Sequence, residues 1–328
     1  MQELKLSFVN VGYGEAMLLE CPDPARQDGT FVMLVDGGSA DASEFADRSS
    51  GRVPLWEYLE SQGPGHIDLM VNTHPHEDHV SGMLPAAELC PPRELWQTLD
   101  PAFVRGSMYQ LDTAAARDLS QRKFMQGLND CANLCRVVED NGGAVRAMGP
   151  GASGALCEGL RYRVLGPGEE QLRELRRRSA ELYDGTEGED FLRRLSVLDA
   201  AMNNYSLILL LEYQGTRLLL PGDTNRAGYG GIDPALLRAE LFKVGHHGQR
   251  DGADEALISA VRPKAVVCCA SSDRRYHSAD STLLRMIEAQ GAALYFSDCP
   301  PTASAPVPPH RSLVFTVGAQ GVSAGQYR

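Results

Sequence analysis

Residues 72–83 read NTHPHEDHVSGM, and this stretch decides how the rest of the chain is interpreted. Three histidines and two acidic residues fall within residues 74–79, directly after an apolar run that is typical of a β-strand. Imidazole nitrogens and a carboxylate are ligands that suit zinc and similar divalent cations. A solvated polar loop is the alternative, but four candidate ligands in six residues favour a metal site.

Alternate residues of this loop can serve two different cations. Just past a strand end, His74 and His76 can converge on one ion, while Asp78 and His79 can turn toward a second. Two metals held about 3.5–4 Å apart can activate a water and stabilise both the attacking and the leaving oxygen of a displacement. Glu77 faces away in this arrangement.

A site with two metals needs further ligands, and the other histidines are few enough to consider one by one. Asp223 follows the apolar run LLLPG, where its two oxygens can bridge both metals. His246 and His247 follow the next run, LFKVG. Because both positions come directly after predicted strands, the sequence predicts that the second half of the site is supplied by this later part of the chain.

The composition of the chain excludes several classes of protein. Hydrophobic residues make up 43% of 328 residues, as in soluble globular proteins, and the longest apolar runs are far too short to span a bilayer. We therefore predict a cytoplasmic protein without membrane contact. A formal net charge of −12 argues against a uniformly basic nucleic-acid surface, although bound dications leave local binding open.

Predicted strands cluster toward both ends of the chain, and predicted helices lie between them. Short β-rich runs occupy the first forty residues, and they return after residue 204 with a hairpin around Gln214–Gly215. The proline-rich run at 300–309 is predicted to be a surface loop. The pattern predicts an α/β protein with two sheets and outer helices, forming one domain over residues 1–328 with a largely helical central insertion at about 90–200.

Several motifs occur in a fixed order: LVDGG at 34–38, HxHxDH at 74–79, Gly-Asp at 222–223 and KVGHHG at 243–248. As a set they resemble the metallo-β-lactamase fold superfamily of dinuclear hydrolases. The further segments VGYGEAMLL, NNYSLILLLEYQGTRLLLPGD and RRYHS are most similar to the soluble metallohydrolase domain of ComEC-type competence proteins. The resemblance is that of a stand-alone relative, and it covers both ends of the chain but not the middle.

This resemblance implies a four-layer αββα sandwich with two divalent metals, zinc or manganese, at one edge of the two sheets. The implied ligands are His74 and His76 for the first metal, Asp78, His79 and His247 for the second, and Asp223 between the two. His246 is then either an added ligand or a residue that faces the substrate. Asp78 and His246 are also candidate catalytic residues.

The first metal site departs from the broad superfamily pattern. Many members have another histidine between HxHxDH and the bridging aspartate, whereas this chain has no histidine between residues 79 and 246. The first site is therefore either open, filled by water, or approached by Asn203 or Asn204.

Three other residues have candidate supporting roles. Asp36, at a strand end before two glycines, either orients a ligand imidazole or caps its own turn. Lys243 is a candidate electrostatic or structural partner beside the metals. His277 is either an ordinary loop histidine or a catalytic residue that protonates the leaving group or binds a phosphate.

The resemblance implies hydrolysis of a phosphodiester, with DNA as the expected substrate class. Two alternatives stay open. One is a hydrolase of small esters, such as a lactone or a choline phosphodiester, which the acidic charge balance slightly favours. The other is a metal-bearing regulatory or binding module whose insertion docks a protein partner or a second copy of the chain.

Overall fold

A computed structural model describes residues 3–302 and 306–328 of the chain. The loop predicted at 300–309 therefore lies partly outside the described residues. Within them the chain forms sixteen strands, numbered in order as β1 (Leu4–Val9), β2 (Met17–Pro22), β3 (Thr30–Val35), β4 (Leu69–Val71), β5 (Glu94–Gln97), β6 (Ala144–Ala147), β7 (Ser153–Cys157), β8 (Leu160–Gly166), β9 (Ile208–Tyr213), β10 (Thr216–Leu220), β11 (Leu241–Lys243), β12 (Ala265–Cys268), β13 (Ala293–Phe296), β14 (Ser312–Gly318), β15 (Gly321–Val322) and β16 (Gln326–Tyr327).

The strands form two sheets, each antiparallel on one side and parallel on the other. The first sheet has the order β15-β14-β1-β2-β3-β4-β5-β6, with β16 also paired to β14, and it is parallel from β3 to β6. The second sheet has the order β13-β12-β11-β10-β9-β8-β7 and is parallel from β10 to β13. The predicted site residues follow the carboxyl ends of these parallel strands.

Helices cover the outer faces of both sheets. They are α1 (Leu55–Gln62), α2 (Glu77–Val80), α3 (Met83–Leu89), α4 (Pro101–Ser107), α5 (Leu119–Asp140), α6 (Glu169–Leu182), α7 (Gly188–Met202), α8 (Glu255–Val261) and α9 (Ser281–Ala289). One buried apolar cluster lies between the sheets, a second lies beneath α1, α3 and α5 to α7, and a third lies beneath α8 and α9. The predicted four-layer αββα sandwich is confirmed.

Strand β9 shows why this layering follows from the sequence. Its side chains alternate, so that Leu209 and Leu211 pack between the sheets while Ile208 and Leu210 pack toward the outer helices. A strand with both faces buried is apolar throughout, which the run LILLL predicts. Each such leucine contributes about 1.5–3 kcal/mol through burial.

The predicted hairpin that follows β9 is confirmed. Gln214 and Gly215 have φ angles of 51° and 86°, and they connect β9 to the antiparallel β10. Positive φ at both central residues is the geometry that suits the right-handed twist of a two-residue hairpin.

The region predicted as a helical insertion, at about 90–200, is built differently. Strands β5 and β6 complete the first sheet, and β7 and β8 form the edge of the second. Strands β6 and β8 lie in the apolar runs AVRAMG and LRYRVLGP, whereas β7 is a half-exposed edge strand with a weak apolar pattern. The α-helices of this region are α4, α5, α6 and α7. No helix among the described residues is long and apolar enough to cross a membrane.

Candidate metal centre

The predicted ligands lie at the carboxyl edges of parallel strands from both sheets. Asp36 follows β3 and the loop 74–79 follows β4, whereas Asp223 follows β10 and His247 follows β11. All of these side chains except His76 and Asp78 are almost completely buried. Packing of the two sheets therefore brings together residues that are far apart in the sequence.

Hydrogen bonds around His74 and His76 leave two bare ring nitrogens facing each other. Thr73 donates its hydroxyl proton to Asp36 at 2.7 Å, so its oxygen accepts from Nδ1 of His74 at 3.1 Å. A carboxylate can only accept, so Nε2 of His76 donates to Asp199 at 3.0 Å. The remaining nitrogens, Nε2 of His74 and Nδ1 of His76, face each other at 3.0 Å. A cation can occupy the space between two such lone pairs.

His79 and His247 are oriented in the same manner. Nδ1 of His79 donates to Asp36 at 2.9 Å, and Nδ1 of His247 donates to the carbonyl of Cys269 at 2.9 Å. The Nε2 atom of each ring is buried and has no hydrogen-bond partner among the described residues. Metal-binding histidines usually donate their other ring nitrogen to such an acceptor, and Asp36 is that acceptor for His79.

Two carboxylates lie beside the Nε2 atoms of these two rings. Nε2 of His247 is 3.0 Å from Asp78 and 2.9 Å from Asp223, and Nε2 of His79 is 3.4 Å from Asp223. A tetrahedral zinc shell with bonds of about 2.0–2.1 Å separates neighbouring ligand atoms by about 3.3 Å. The donor set and its spacing therefore fit a divalent metal ion.

The charges of the cluster compensate one another when no metal is bound. Burial, together with the neighbouring imidazoles of His79 and His76, lowers the pKa of His74, which favours the neutral ligand form. Burial opposes charge on His79 as well, but Asp223, Asp36 and Asp78 outweigh it and raise its pKa. Binding of a cation must therefore displace protons from the site.

Lys243 and Glu15 support the cluster from beneath. Lys243 is fully buried, donates to the carbonyl of Gly222 at 2.8 Å, and lies 3.3 Å from Oδ1 of Asp223. It also forms an ion pair with the fully buried Glu15. This arrangement leaves Oδ2 of Asp223 on the side of the histidines.

Sequence reasoning did not single out Glu15, although it lies within the VGYGEAMLL segment. Its carboxylate, His79, Asp223 and His247 form a buried group whose ligand atoms all lie within 4.8 Å of one another. Gly14 allows this placement, because it has a φ of 129° and a Cβ there would collide with the backbone oxygen of Asp78. In the sequence, Gly14 directly before Glu15 was the feature that could have indicated a close approach of this segment to the site.

A cavity of about 280 Å³ opens beside the ligands. His76, Asp78 and Asp223 line it, and so do Lys123 and Tyr13. Nucleophile, substrate and cation can therefore meet at this end of the sheets.

The structure separates the roles of His246 and His247. Of the two, His247 lies beside Asp78 and Asp223, whereas His246 lines the cavity, with Nδ1 2.8 Å from Asp251 and Nε2 3.0 Å from Asn203. Of the two predicted alternatives for His246, the geometry favours the one that faces the substrate. Asn204 does not line the cavity and instead accepts from the backbone of Asn225, so Asn203 replaces it as the residue near the site.

His277 does not occupy the catalytic position predicted for it. The side chain is exposed and lies outside the cavity lining, and the preceding residue, Tyr276, lines the cavity instead. Both residues have a positive φ, of 52° and 61° respectively. This backbone turn determines which side chain faces the site, and residue types alone do not reveal it.

Two other cavity residues come from helices of the central region. Asp199 on α7 contacts His76, and Lys123 on α5 lies 3.0 Å from Glu77. Neither stands out in the sequence, because each occurs within an ordinary amphipathic helical pattern. Glu77 also contacts Ser39 and lies outside the ligand cluster.

The two-sheet fold and the buried cluster of imidazoles and carboxylates define a metal-dependent hydrolase. The sequence pattern of the family described as the metallo-beta-lactamase superfamily matches residues 11–272. The chain belongs to the metallo-beta-lactamase superfamily.

Individual proteins are also similar to this chain. ComE operon protein 3 of Bacillus subtilis (strain 168) is 29% identical over 294 residues, which cover 87% of this chain and 31% of that protein. A metal-dependent hydrolase from Parabacteroides distasonis has a TM-score of 0.41 at 13% identity, covering 90% of this chain and 93% of the other. Zinc-bound PqqB from Methylobacterium extorquens has a TM-score of 0.43 at 12% identity, covering 88% and 97%.

Proposed function

We propose that the protein is a metal-dependent phosphodiesterase of the nuclease type, acting on DNA or another phosphodiester. The observation that carries the proposal is the set of four imidazoles that converge beside two carboxylates at one end of an open, polar cavity. The sequence resemblance to ComEC-type competence proteins, whose expected substrate class is DNA, supports a phosphodiester.

Two divalent ions, zinc or manganese, belong to this proposal. The residues that would hold them are His74 and His76 for the first, Asp78, His79 and His247 for the second, and Asp223 between the two. When bound, such ions neutralise phosphoryl oxygens and lower the pKa of water.

Lys123 contributes positive charge at the cavity wall. Among the described residues that line the cavity, it is the one permanent cation, and its side chain is 25% exposed. Its pairing with Glu77 fixes the ammonium group at 3.0 Å from the carboxylate. The remaining donor capacity of the ammonium is available to a phosphoryl oxygen of the substrate.

His246 is the residue that we assign to protonation of the leaving oxygen. Asp251 accepts from its Nδ1, and this hydrogen bond lowers the pKa of the Asp251 carboxyl. The transferred proton would be carried by Nε2, which lies 3.0 Å from the side-chain amide of Asn203, and the ring faces the cavity. Histidine suits this role because it exchanges a proton near neutral pH.

Tyr276 offers an exposed ring on which a nucleobase can stack. Its side chain is 50% exposed, and its ring lies 5.2 Å from that of Tyr13 in an edge-on arrangement. Arg274 stabilises the turn that carries Tyr276 by donating to the carbonyls of Ser278 at 3.2 Å and Ala279 at 2.8 Å. Stacking of a base on an aromatic side chain contributes about 1–3 kcal/mol.

A small phosphodiester or other ester is the second candidate substrate, and the charge pairing of α6 and α7 favours it. Most arginines of these helices pair with nearby carboxylates, so they form no free basic strip for a nucleic-acid strand. The pairs are Arg173–Glu170, Arg177–Glu181, Arg178–Glu174, Arg193–Asp190 and Arg194–Asp184.

The non-enzymatic alternative is a regulatory or binding module that carries metal. Leu119 on α5 and Val197 on α7 expose apolar side chains, by 53% and 45%. Docking of a protein partner or a second copy of the chain through these helices stays a prediction, as does a cytoplasmic location.

Cleavage of labelled single-stranded DNA by the purified protein, with manganese or zinc added, tests the proposed function. We expect metal-dependent cleavage that is lost in His76→Ala. Bis(4-nitrophenyl) phosphate and a lactone are assayed in parallel. Turnover of a small ester without DNA cleavage would favour the second candidate, and bound metal without any turnover would favour the regulatory module.

A further inference from the structure

Asp199 is a carboxylate from the central helices that reaches the predicted first metal site. It lies near the end of α7, and its side chain is 27% exposed. Its Oδ1 is 3.0 Å from Nε2 of His76, and its Oδ2 is 3.5 Å from the hydroxyl of Ser120 on α5. These contacts join α7 and α5 to the loop that carries the histidines.

The geometry of the His76 ring assigns different tasks to its two nitrogens. Nδ1 faces Nε2 of His74 at 3.0 Å, where a shared cation would lie. Nε2 points away from that position and toward Asp199. Asp199 therefore contacts the ligand and not the shared cation, which makes it a positioning residue.

The contact matters because the first site has few ligands. The sequence has no histidine between 79 and 246, so His74 and His76 supply the imidazoles of this site. A carboxylate that accepts from a ligand histidine fixes its tautomer and increases its basicity. Loss of such a partner typically weakens metal binding by about 10–100-fold.

Helix α5 holds Asp199 and the ligand loop in a fixed relation. Gly127 of α5 packs directly on this loop, because a Cβ at that position would collide with the carbonyl oxygen of Pro75. The ring of Phe124, on the same helix, lies 5.3 Å from the ring of His76. The position of His76 thus depends on the central helices as well as on β4.

We propose that Asp199 is the carboxylate that fixes His76 as an Nδ1 ligand, and that it thereby couples occupancy of the first metal site to the packing of α7. The inference rests on the proposed metal-dependent function, but it concerns metal binding and not turnover. The coupling free energy between two sites is the same in both directions. If packing of Asp199 on His76 strengthens metal binding, a bound metal therefore stabilises the packed position of α7 by the same free energy.

Equilibrium zinc binding by the full chain, measured at buffered free zinc, tests the proposal. We expect one of two binding steps to weaken by about 10–100-fold in Asp199→Ala, and by less in Asp199→Asn, whose amide oxygen can still accept from His76. Asp190→Ala, on the same helix but facing solvent, is the matched control and leaves both steps unchanged. Circular dichroism and thermal unfolding of the metal-free variants check that each one folds.

Nitrogen-15 spectra of the His76 ring supply a second readout. We expect metal-free wild type to carry the ring proton on Nε2, and Asp199→Ala to populate the Nδ1-protonated form. Unchanged zinc binding with an unchanged tautomer would overturn the proposal, and so would equal weakening of both steps, which indicates a general structural role. Failure of DNA cleavage would count against the proposed function and leave both of these readouts unaffected.

Discussion

Lys243 and Asp223 are both buried at the metal centre, with the ammonium nitrogen 3.3 Å from Oδ1 of the carboxylate. The same ammonium pairs with Glu15. Burial lowers the pKa of Lys243 to about 7, and in its protonated form the side chain compensates two buried carboxylates and leaves Oδ2 of Asp223 beside His247. The arrangement of the ligand depends on a cation that belongs to the protein.

Replacement of Lys243 by methionine preserves much of the side-chain volume and removes the charge. We expect the free energy of unfolding of the metal-free protein to fall by about 3–5 kcal/mol, because two buried carboxylates lose their partner. Urea denaturation in the presence of a chelator measures this loss. The exposed Lys264→Met is the matched control, and an equally small effect of both substitutions would contradict the role of Lys243.

Stability of the metal-free protein depends on pH through the histidines of the cluster. Although burial opposes it, the carboxylates around His79 and His247 raise the pKa of both imidazoles. A raised folded-state pKa adds stability that is fully present below the unfolded pKa, about 6.5, and is lost as the pH rises through the folded pKa. The metal-free protein therefore loses this contribution toward alkaline pH.

A bound dication takes the place of those protons, so zinc should increase Tm more at alkaline pH than at mildly acidic pH. Thermal unfolding with zinc and with a chelator, across about pH 6 to pH 9, measures this difference. His79→Asn lacks one of the two titrating imidazoles and provides a comparison. If the increase in Tm caused by zinc became steadily smaller as the pH is raised, the assignment of raised pKa values to His79 and His247 would be contradicted.

Removal of the Tyr276 ring separates nucleic-acid substrates from small ones. We expect Tyr276→Ala to raise KM for a single-stranded oligonucleotide by about 5–100-fold, which corresponds to loss of one stacked base. KM for bis(4-nitrophenyl) phosphate is expected to change little, because that substrate has no nucleobase. Tyr109→Ala removes another exposed tyrosine, 46% exposed and packed on Tyr183, as the control. Equal changes for both substrates would count against a stacking role.

Local patterns predicted the parts of the fold that depend on short-range physics. Three such features are determined by only a few neighbouring residues each: the alternation of leucines in β9, the Gln214–Gly215 turn and the histidine loop after β4. Strand β7 was not predicted, because a half-exposed edge strand lacks a strong apolar pattern.

The parts of the site that were missed depend on tertiary packing. Asp199 resembles any acid on a helix until α7 is placed against the histidine loop. The exchange of His277 for Tyr276 depends on a left-handed backbone turn that many sequences could adopt. Glu15 is a charged residue that is buried beside Lys243 of the other sheet, and this pairing depends on the packing of the two sheets.

The order of the ligands along the chain also sets an order in time. His74, His76 and Asp199 precede the parallel half of the second sheet, whereas Asp223 and His247 belong to it. During synthesis, the ribosome therefore delivers His74, His76 and Asp199 before Asp223 and His247 exist. A nascent chain carries only part of its metal centre, and the centre is complete only after the second sheet has been made.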